Sequence, residues 1–403
     1  MIKQITIDAL TVGMYIDDLN CGWLDHPFAR NRFLVKDAKT LAKLRALPVQ
    51  TLYIDTERGL DVIDAPSRQE VEEQQQQAVE AIIEAPAPAP VENLGFDQEL
   101  VNAHEITRDA HRVIGELMSG IKLGQRIRVA AAEEVVERMT RSLIRNPDAL
   151  MALGRIRSVD HYTFEHSINV CTLMVAFAHY LGLHPETIRS IGTGAMLHDI
   201  GKVTIADQIL NKPGKLTEEE FRIMQGHVAS GQQLLRECEV EPTALAVVAE
   251  HHERFDGSGY PLGLKGEQIS HYGHMAAIVD VYDALTSDRC YHDAIAPTAV
   301  LRKIYDWSQH QFHPQLAQQF IRFVGVYPAG SVVELASGHL ALVLERSDDR
   351  LNPRVRIFYD TLRKRSVEPY DFDLAGDQDH IHRYADLAAW GLDAQPLLRR
   401  LLR

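Results

Sequence analysis

Met196-Leu197-His198-Asp199-Ile200-Gly201-Lys202 closes an apolar segment with an imidazole and a carboxylate side by side. These are the ligand types that hold borderline divalent transition metals. Lys202 follows His198 by four residues and Asp199 by three, so one helical turn brings its ammonium to the same side. A bare His-Asp pair is a weak signal, because two polar neighbours often occur by chance. Its weight comes from the further His and Asp residues on the helical segments around it.

Those segments decide the fold class. From Phe96 to about Gly325 apolar residues recur at helical spacing, with almost no strand pattern. The predicted helices are 98–121, 131–146, 161–182, 186–199, 217–224, 227–237, 242–252, 274–287, 297–309 and 314–324. Thr217-Glu218-Glu219-Glu220 fits a capping box, and Pro213-Gly214, Pro242 and Pro261 punctuate loops. The chain therefore reads as mainly α. A helical bundle with polar side chains turned inward is flanked by a small α/β or β-rich N-terminal domain and a short β-rich C-terminal segment.

Residues 1–64 form that N-terminal domain. Ile2, Ile5 and Ile7 suggest a first strand, Leu41, Leu44 and Leu47 a helix, and Thr51-Leu52-Tyr53-Ile54 another strand. Trp23, His26, Pro27 and Phe28 read as aromatics closing a small core in preference to a ligand cluster. Residues 65–97 read as a linker with at most a transient helix before Ala85. The run Gln74 to Gln77 follows Glu70, Glu72 and Glu73, and Ala85 to Pro90 alternates Ala and Pro, too little apolar surface for a core. Residues 98–129 are a connecting helix, and 130–328 carry the ligand-type residues. Within 329–403, strands are expected at 331–335, 340–344 and 355–358, then a terminal helix from Tyr384 to Leu402 with a leucine stripe. That stripe can dock on the helical domain or on a second subunit, and together with the helix at 98–121 it offers a route to a homodimer.

At 403 residues the chain is long enough for two or three domains. A formal net charge of −14 argues against a nucleic-acid polymer or an anionic membrane as partner, but not against a small anion in a local basic pocket. The four cysteines (Cys21, Cys171, Cys238, Cys290) are far apart and lack CxxC spacing, which suits a reduced cytoplasmic protein. No signal-peptide core and no transmembrane-length apolar window is apparent.

Around His198 and Asp199, the residues able to complete a metal site are His166, His227, His251, His252 and Asp280, each within or at the end of a predicted helix. Imidazoles with carboxylates suit Fe, Mn or Zn, and a shared Asp can bridge two ions. Two such ions bridging a water would yield a hydroxide for in-line attack on phosphorus. Lys202 would then neutralise a phosphate oxygen. A second stretch, His251-His252-Glu253-Arg254-Phe255-Asp256-Gly257-Ser258-Gly259-Tyr260-Pro261, sets a tight glycine turn directly after a His-His pair.

His198-Asp199-Ile200-Gly201-Lys202, the His251 to Pro261 run and Val281-Tyr282-Asp283-Ala284-Leu285-Thr286-Ser287-Asp288-Arg289 together resemble the HD-GYP family of the HD phosphohydrolase superfamily. The likeness spans roughly 130–328, with all three motifs in the expected order. It implies a helical HD bundle that hydrolyses cyclic di-GMP to pGpG, and onward to GMP in some members. By resemblance the metal ligands are His166, His198, Asp199, His227, His251, His252 and Asp280, with Asp199 bridging and catalytic alongside Lys202 at the phosphate. Arg289 would bind the nucleotide, and Gly259-Tyr260-Pro261 would border the pocket and meet GGDEF-domain partners. Fe or Mn is the expected pair of ions, with Zn or Ni compatible in isolated protein. Residues 1–64 resemble the regulatory domain fused to such proteins.

Two departures from the family pattern stand out. Where some members carry a Glu that helps hold a third metal, this chain has Tyr162, which favours two metals. Where Lys or Arg commonly follows the nucleotide-binding Arg by three residues, the run is Arg289-Cys290-Tyr291-His292, so His292 is expected to weaken a substrate contact and to add pH dependence. The alternatives to the phosphodiesterase are a cyclic-di-GMP sensor or adaptor with little turnover, and an HD hydrolase of another phosphate ester.

Overall fold

Alternating apolar residues at the N-terminus pair into a sheet because only one face has a core to bury. A computed structural model describes residues 1–22, 26, 28, 31–83, 94–156, 162–212, 214–287, 294–308, 310–346, 352–376 and 379–403, without the side chains of 162 and 163. Strands β1 (Ile2–Thr6), β2 (Tyr15–Asp18), β3 (Phe33–Leu34) and β4 (Thr51–Asp55) form an antiparallel sheet in the order β1-β4-β2-β3. Ile5, Ile16, Leu52 and Ile54 bury their side chains with Leu44 of helix α1 (Ala38–Arg45), which Asp37 caps by accepting from the Thr40 N–H at 2.7 Å. Phe28 and Phe33 pack against this core, their rings 4.9 Å apart, as the small-core reading expected. Trp23 and Pro27 lie outside the described residues.

The expected linker holds a full helix, α2 (Arg68–Ile83). Val71, Val79 and Ile83 recur at multiples of four and are buried, a stripe too sparse to raise the mean hydropathy of a Gln/Glu-rich run. Arg322 fixes its end by donating to the Ile82 carbonyl at 3.0 Å.

The helical region runs through α3 (Phe96–Lys122), α4 (Val129–Arg145), α5 (Pro147–Leu153), α6 (Tyr162–Tyr180), α7 (Pro185–Leu197), α8 (Asp207–Leu210), α9 (Glu218–Gln225), α10 (His227–Arg236), α11 (Pro242–Glu250), α12 (His271–Leu285), α13 (Pro297–Trp307) and α14 (Pro314–Val324). The capping box at α9 is present: Glu220 accepts from the Thr217 N–H at 2.7 Å and donates its own N–H to Thr217 Oγ1 at 3.2 Å. Helix α5 lies outside the predicted set, although Asn146 caps it and Pro147 opens it. The facing parts of α6, α7 and α12 are buried, with polar residues such as His166, Thr193 and Asp280 among them.

The C-terminal strands β5 (Val332–Leu335), β6 (His339–Glu345), β7 (Arg354–Asp360), β8 (Arg365–Asp373) and β9 (Ile381–Tyr384) form an antiparallel sheet in the order β8-β7-β6-β5-β9. The expected terminal helix over 384–402 is not formed as such. Tyr384 ends β9, Gly391 adopts a left-handed φ of 68° after a 3-10 turn, and Asp393 caps a separate short helix, α15 (Ala394–Leu401). Leu387, Leu398, Leu401 and Leu402 are buried within the chain itself, so the stripe behind the dimer expectation packs internally. The apolar face of α3, with Ile106, Val113 and Ile114, is buried likewise.

By contacts the chain forms two units, residues 1–79 with 206–225, and residues 80–205 with 226–403. Among the described residues no helix is long and apolar enough to cross a membrane.

Candidate metal centre

The ligand-type residues come from six elements of the second unit or their ends. His166 projects from α6, His198 ends α7, and Asp199 with Lys202 begins the 3-10 turn Ile200–Thr204. His227 opens α10, His251 and His252 follow α11, and Asp280 lies on α12. Gly201 makes the approach of two of these elements feasible. A Cβ there would stand 1.9 Å from the His227 carbonyl oxygen and 2.5 Å from the Gly231 nitrogen.

The predicted ligands converge. His166 Nε2 lies 2.9 Å from Asp280 Oδ1 and 3.8 Å from Asp199 Oδ2. His198 Nε2 is 3.3 Å from Asp199 Oδ2, and His227 Nε2 is 3.4 Å from Asp199 Oδ1. The two Asp199 oxygens thus face different imidazoles. Three donor groups each gather within 4.8 Å: His166, His198 and Asp280; His198, Asp199 and His251; and His227, His251 and His252. All are buried except His252, which is partly open.

Outer hydrogen bonds aim the rings. His198 Nδ1 donates to the Ala195 carbonyl at 2.7 Å and His251 Nδ1 to the Val248 carbonyl at 2.9 Å, so each Nε2 carries a lone pair directed inward. Asp283 accepts from His166 Nδ1 at 2.7 Å. The fit to a cation follows from what remains. His198 Nε2 and Asp199 Oδ1 are fully buried and make no hydrogen bond among the described residues. His227 Nε2 and His251 Nε2 face each other at 3.3 Å. Leaving one buried polar atom unpaired costs about 1–3 kcal/mol, and a shared cation satisfies several at once.

The local field favours the metal-binding form of Asp199, Asp280, His251 and His252. Burial pushes the Asp199 carboxyl up, but Lys202, His198 and His227 together hold it well below the usual carboxylate range. Burial of Asp280 is likewise outweighed, by His166, His252 and His198. Burial, then His198 and His227, pushes His251 down to about 3; burial and His251 push His252 well down. His198 moves the other way, since Asp199 and Asp280 outweigh its burial. Ionised carboxylates beside neutral imidazoles are the binding form of this donor set.

Lys202 Nζ stands 2.5 Å from Asp199 Oδ2 and reaches partly into solvent. The Tyr260 ring stacks on His252 with centroids 4.6 Å apart and planes 30° apart, while its N–H donates to the His252 carbonyl at 3.1 Å. Gly259 is obligatory in this turn, because a Cβ would sit 2.4 Å from the Arg254 nitrogen. Tyr260-Pro261 is a cis peptide. Buried Glu253 fastens the loop by accepting from the Leu262 and Leu264 N–H groups at 2.7 and 2.9 Å.

The roles of Asp283 and Glu253 escaped the sequence reading. Asp283 follows Asp280 by three residues on one helix face, which was the available signal. For Glu253 it was an acid directly after the paired histidines. Arg289 and His292, expected at the nucleotide, lie outside the described residues, as does the Tyr162 side chain. Glu165 faces His111 at 4.0 Å.

Known proteins bear on this centre. The family model described as HD domain matches residues 139–316, and one described as a domain of unknown function (DUF3391) matches residues 2–132. A protein of Pseudomonas aeruginosa named as a cyclic di-GMP phosphodiesterase is 37% identical over 395 residues, covering 97% of this chain and 94% of that protein. The cyclic di-GMP phosphodiesterase response regulator RpfG of Xanthomonas campestris is 42% identical over 148 residues, 36% of this chain and 39% of that one. A 3′3′-cGAMP-specific phosphodiesterase of Vibrio cholerae is 37% identical over 158 residues, 39% of this chain and 30% of its own length. A solved HD-GYP-type protein of Bdellovibrio bacteriovorus aligns with 80% of this chain and 99% of its own, at 17% identity and a TM-score of 0.47.

Proposed function

The chain belongs to the HD-GYP family of cyclic di-GMP phosphodiesterases, and from that premise we propose how its buried histidines and aspartates perform the hydrolysis. It is a metal-dependent phosphodiesterase acting on cyclic di-GMP. The observation that carries the site assignment is the orphaned pair His198 Nε2 and Asp199 Oδ1 inside a shell of inward-facing ligands.

His166, His198 and Asp280 would hold one divalent ion and His227, His251 and His252 a second, with Asp199 placed between the two groups. When bound, the ions supply Lewis acidity and a water acidic enough to act as nucleophile near neutral pH. Fe or Mn suits this all-nitrogen and oxygen donor set. Asp199 presents an oxygen to each side, and the buried imidazoles exclude bulk water from the reacting phosphate. Lys202 is the cation at the mouth; it releases Asp199 to neutralise a phosphate oxygen of the substrate. Tyr260, held over His252 by Gly259 and the Glu253 anchor, forms one wall with Pro261, and Arg289 with His292 contacts the nucleotide.

One cleavage opens the cyclic dinucleotide to pGpG, and a second gives GMP. Residues 130–328 carry catalysis, while 1–64 regulate it. The rim of the loop, where Leu262 is 72% exposed, is the contact for GGDEF-domain partners. A second substrate is favoured by one observation, the likeness to the 3′3′-cGAMP-specific enzyme of Vibrio cholerae.

The test is turnover by Mn(II)-loaded protein offered each dinucleotide separately, beside Asp199→Ala. Cyclic di-GMP is expected to be converted to linear product by the wild type alone. Equal hydrolysis by Asp199→Ala would remove Asp199 from the mechanism, and preferential cleavage of 3′3′-cGAMP would reassign the substrate.

A further inference from the structure

The ligand imidazoles do not all rest on the same kind of outer partner. His198 and His251 donate from Nδ1 to backbone carbonyls three residues earlier, Ala195 at 2.7 Å and Val248 at 2.9 Å. His166 instead donates to a carboxylate, Asp283 Oδ2, at 2.7 Å. Asp283 is buried and lies one helical turn beyond Asp280, so α12 addresses both nitrogens of a single ring: Asp280 at Nε2 and Asp283 at Nδ1. A carboxylate behind an imidazole fixes its tautomer as a carbonyl does, and it also makes the inward nitrogen a stronger donor.

The charges around the two metal positions are correspondingly unequal. The pocket of His166, His198 and Asp280 has its own carboxylate, and Asp199 Oδ2 lies 3.3 Å from His198 Nε2. The pocket of His227, His251 and His252 is three imidazoles, with Asp199 Oδ1 3.4 Å from His227 and Asp280 Oδ2 no nearer than 3.8 Å to His252 Nδ1. We propose that Asp283 is a positioning residue for His166, and that its charge helps make the His166–His198–Asp280 pocket the tighter of the two metal positions. This rests on the two-metal reading above. Two substitutions separate orientation from charge: Asp283→Asn keeps an acceptor for His166 Nδ1 and removes the charge, whereas Asp283→Ala removes both.

The experiment is calorimetric titration of the full chain, stripped by chelator, with Mn(II), with metal per chain counted after gel filtration and folding checked by circular dichroism. The wild type is expected to bind two ions in unequal phases. Asp283→Asn should weaken the tighter phase about 10-fold and Asp283→Ala up to about 100-fold, the range for outer partners of ligand histidines. In both variants the weaker phase should stay unchanged. His252→Ala should do the reverse and weaken only the second phase.

Two equivalent sites in the wild type would overturn the proposal, as would a tighter phase untouched by Asp283→Asn. So would equal weakening of both phases in a folded Asp283→Asn protein. A wild type that takes up only one ion would instead overturn the two-metal reading, and neither result depends on which dinucleotide is cleaved.

Discussion

Gly201 and Lys202 sit side by side and do opposite jobs, one by having no side chain and the other through its charge. Replacing Gly201 with Ala drives a Cβ into the His227 carbonyl, which is main chain and cannot rotate away. Gly201→Ala is expected to destabilise the second unit by about 1–3 kcal/mol or more and to lower bound metal, measured by thermal denaturation and metal content. Lys202→Met should keep its metals but lose roughly 10²–10³ in kcat, the scale for losing one group that stabilises transition-state charge. Unchanged kcat would return Lys202 to a purely structural partner of Asp199. At this scale the sequence was most legible where chemistry is written locally, as in His198-Asp199 and His251-His252. Asp283 and Glu253 were harder to read, because their meaning depends on which ring nitrogen or loop N–H the fold brings to them.

Helices α3 and α4 are locked by a buried ionic clamp. Arg145 donates to both Glu99 oxygens at 2.7 Å, and Ser142 Oγ donates to one of them at 2.6 Å. Burial raises the Glu99 carboxyl, yet Arg145, Ser142 and Asn102 hold it below its ordinary value. A folded-state value below the unfolded one gives stability that is present above about pH 4.3 and lost as pH falls through the lowered value. Glu99→Gln should therefore destabilise the protein by about 2–4 kcal/mol at pH 7, and the difference from wild type should shrink towards pH 3 in denaturant titrations. Elements were legible where periodicity was dense, as along α3, α7 and α14. They were missed where burial rests on few residues: α2 hides three apolar contacts in a Gln/Glu run. Strand β8 carries Pro369 and alternating charge because it is an edge strand, where a missing N–H does no harm. The leucines after Tyr384 kept helical spacing across a break that Gly391 makes.

Across the whole molecule, one segment could not have been placed from sequence. Residues 206–225 lie between Lys202 and His227 in the chain, yet by contacts they belong with residues 1–79. Lys215 Nζ ties them there, 3.1 Å from both His26 ring nitrogens and 3.2 Å from Asn31 Oδ1, and bonded to the Phe28 carbonyl. Lys215→Ala is expected to speed cleavage within 206–225 in limited proteolysis while sites in 330–400 keep their rate. Equal protection would show that Lys215 is not what holds the segment. Nothing in the spacing of the ligand motifs announces this arrangement, since it joins residues nearly two hundred positions apart.

The measurement that bears most directly on the whole account is cyclic di-GMP turnover as a function of metal bound per chain. Chelator-stripped protein would be reloaded anaerobically with Fe(II) or Mn(II), with metal content and product identity followed together. The account predicts no turnover in stripped protein, activity that reaches its full value as two ions are bound, pGpG as first product, and no activity from Asp199→Ala at any loading. Turnover by the stripped protein, or full activity at one ion per chain, would contradict it.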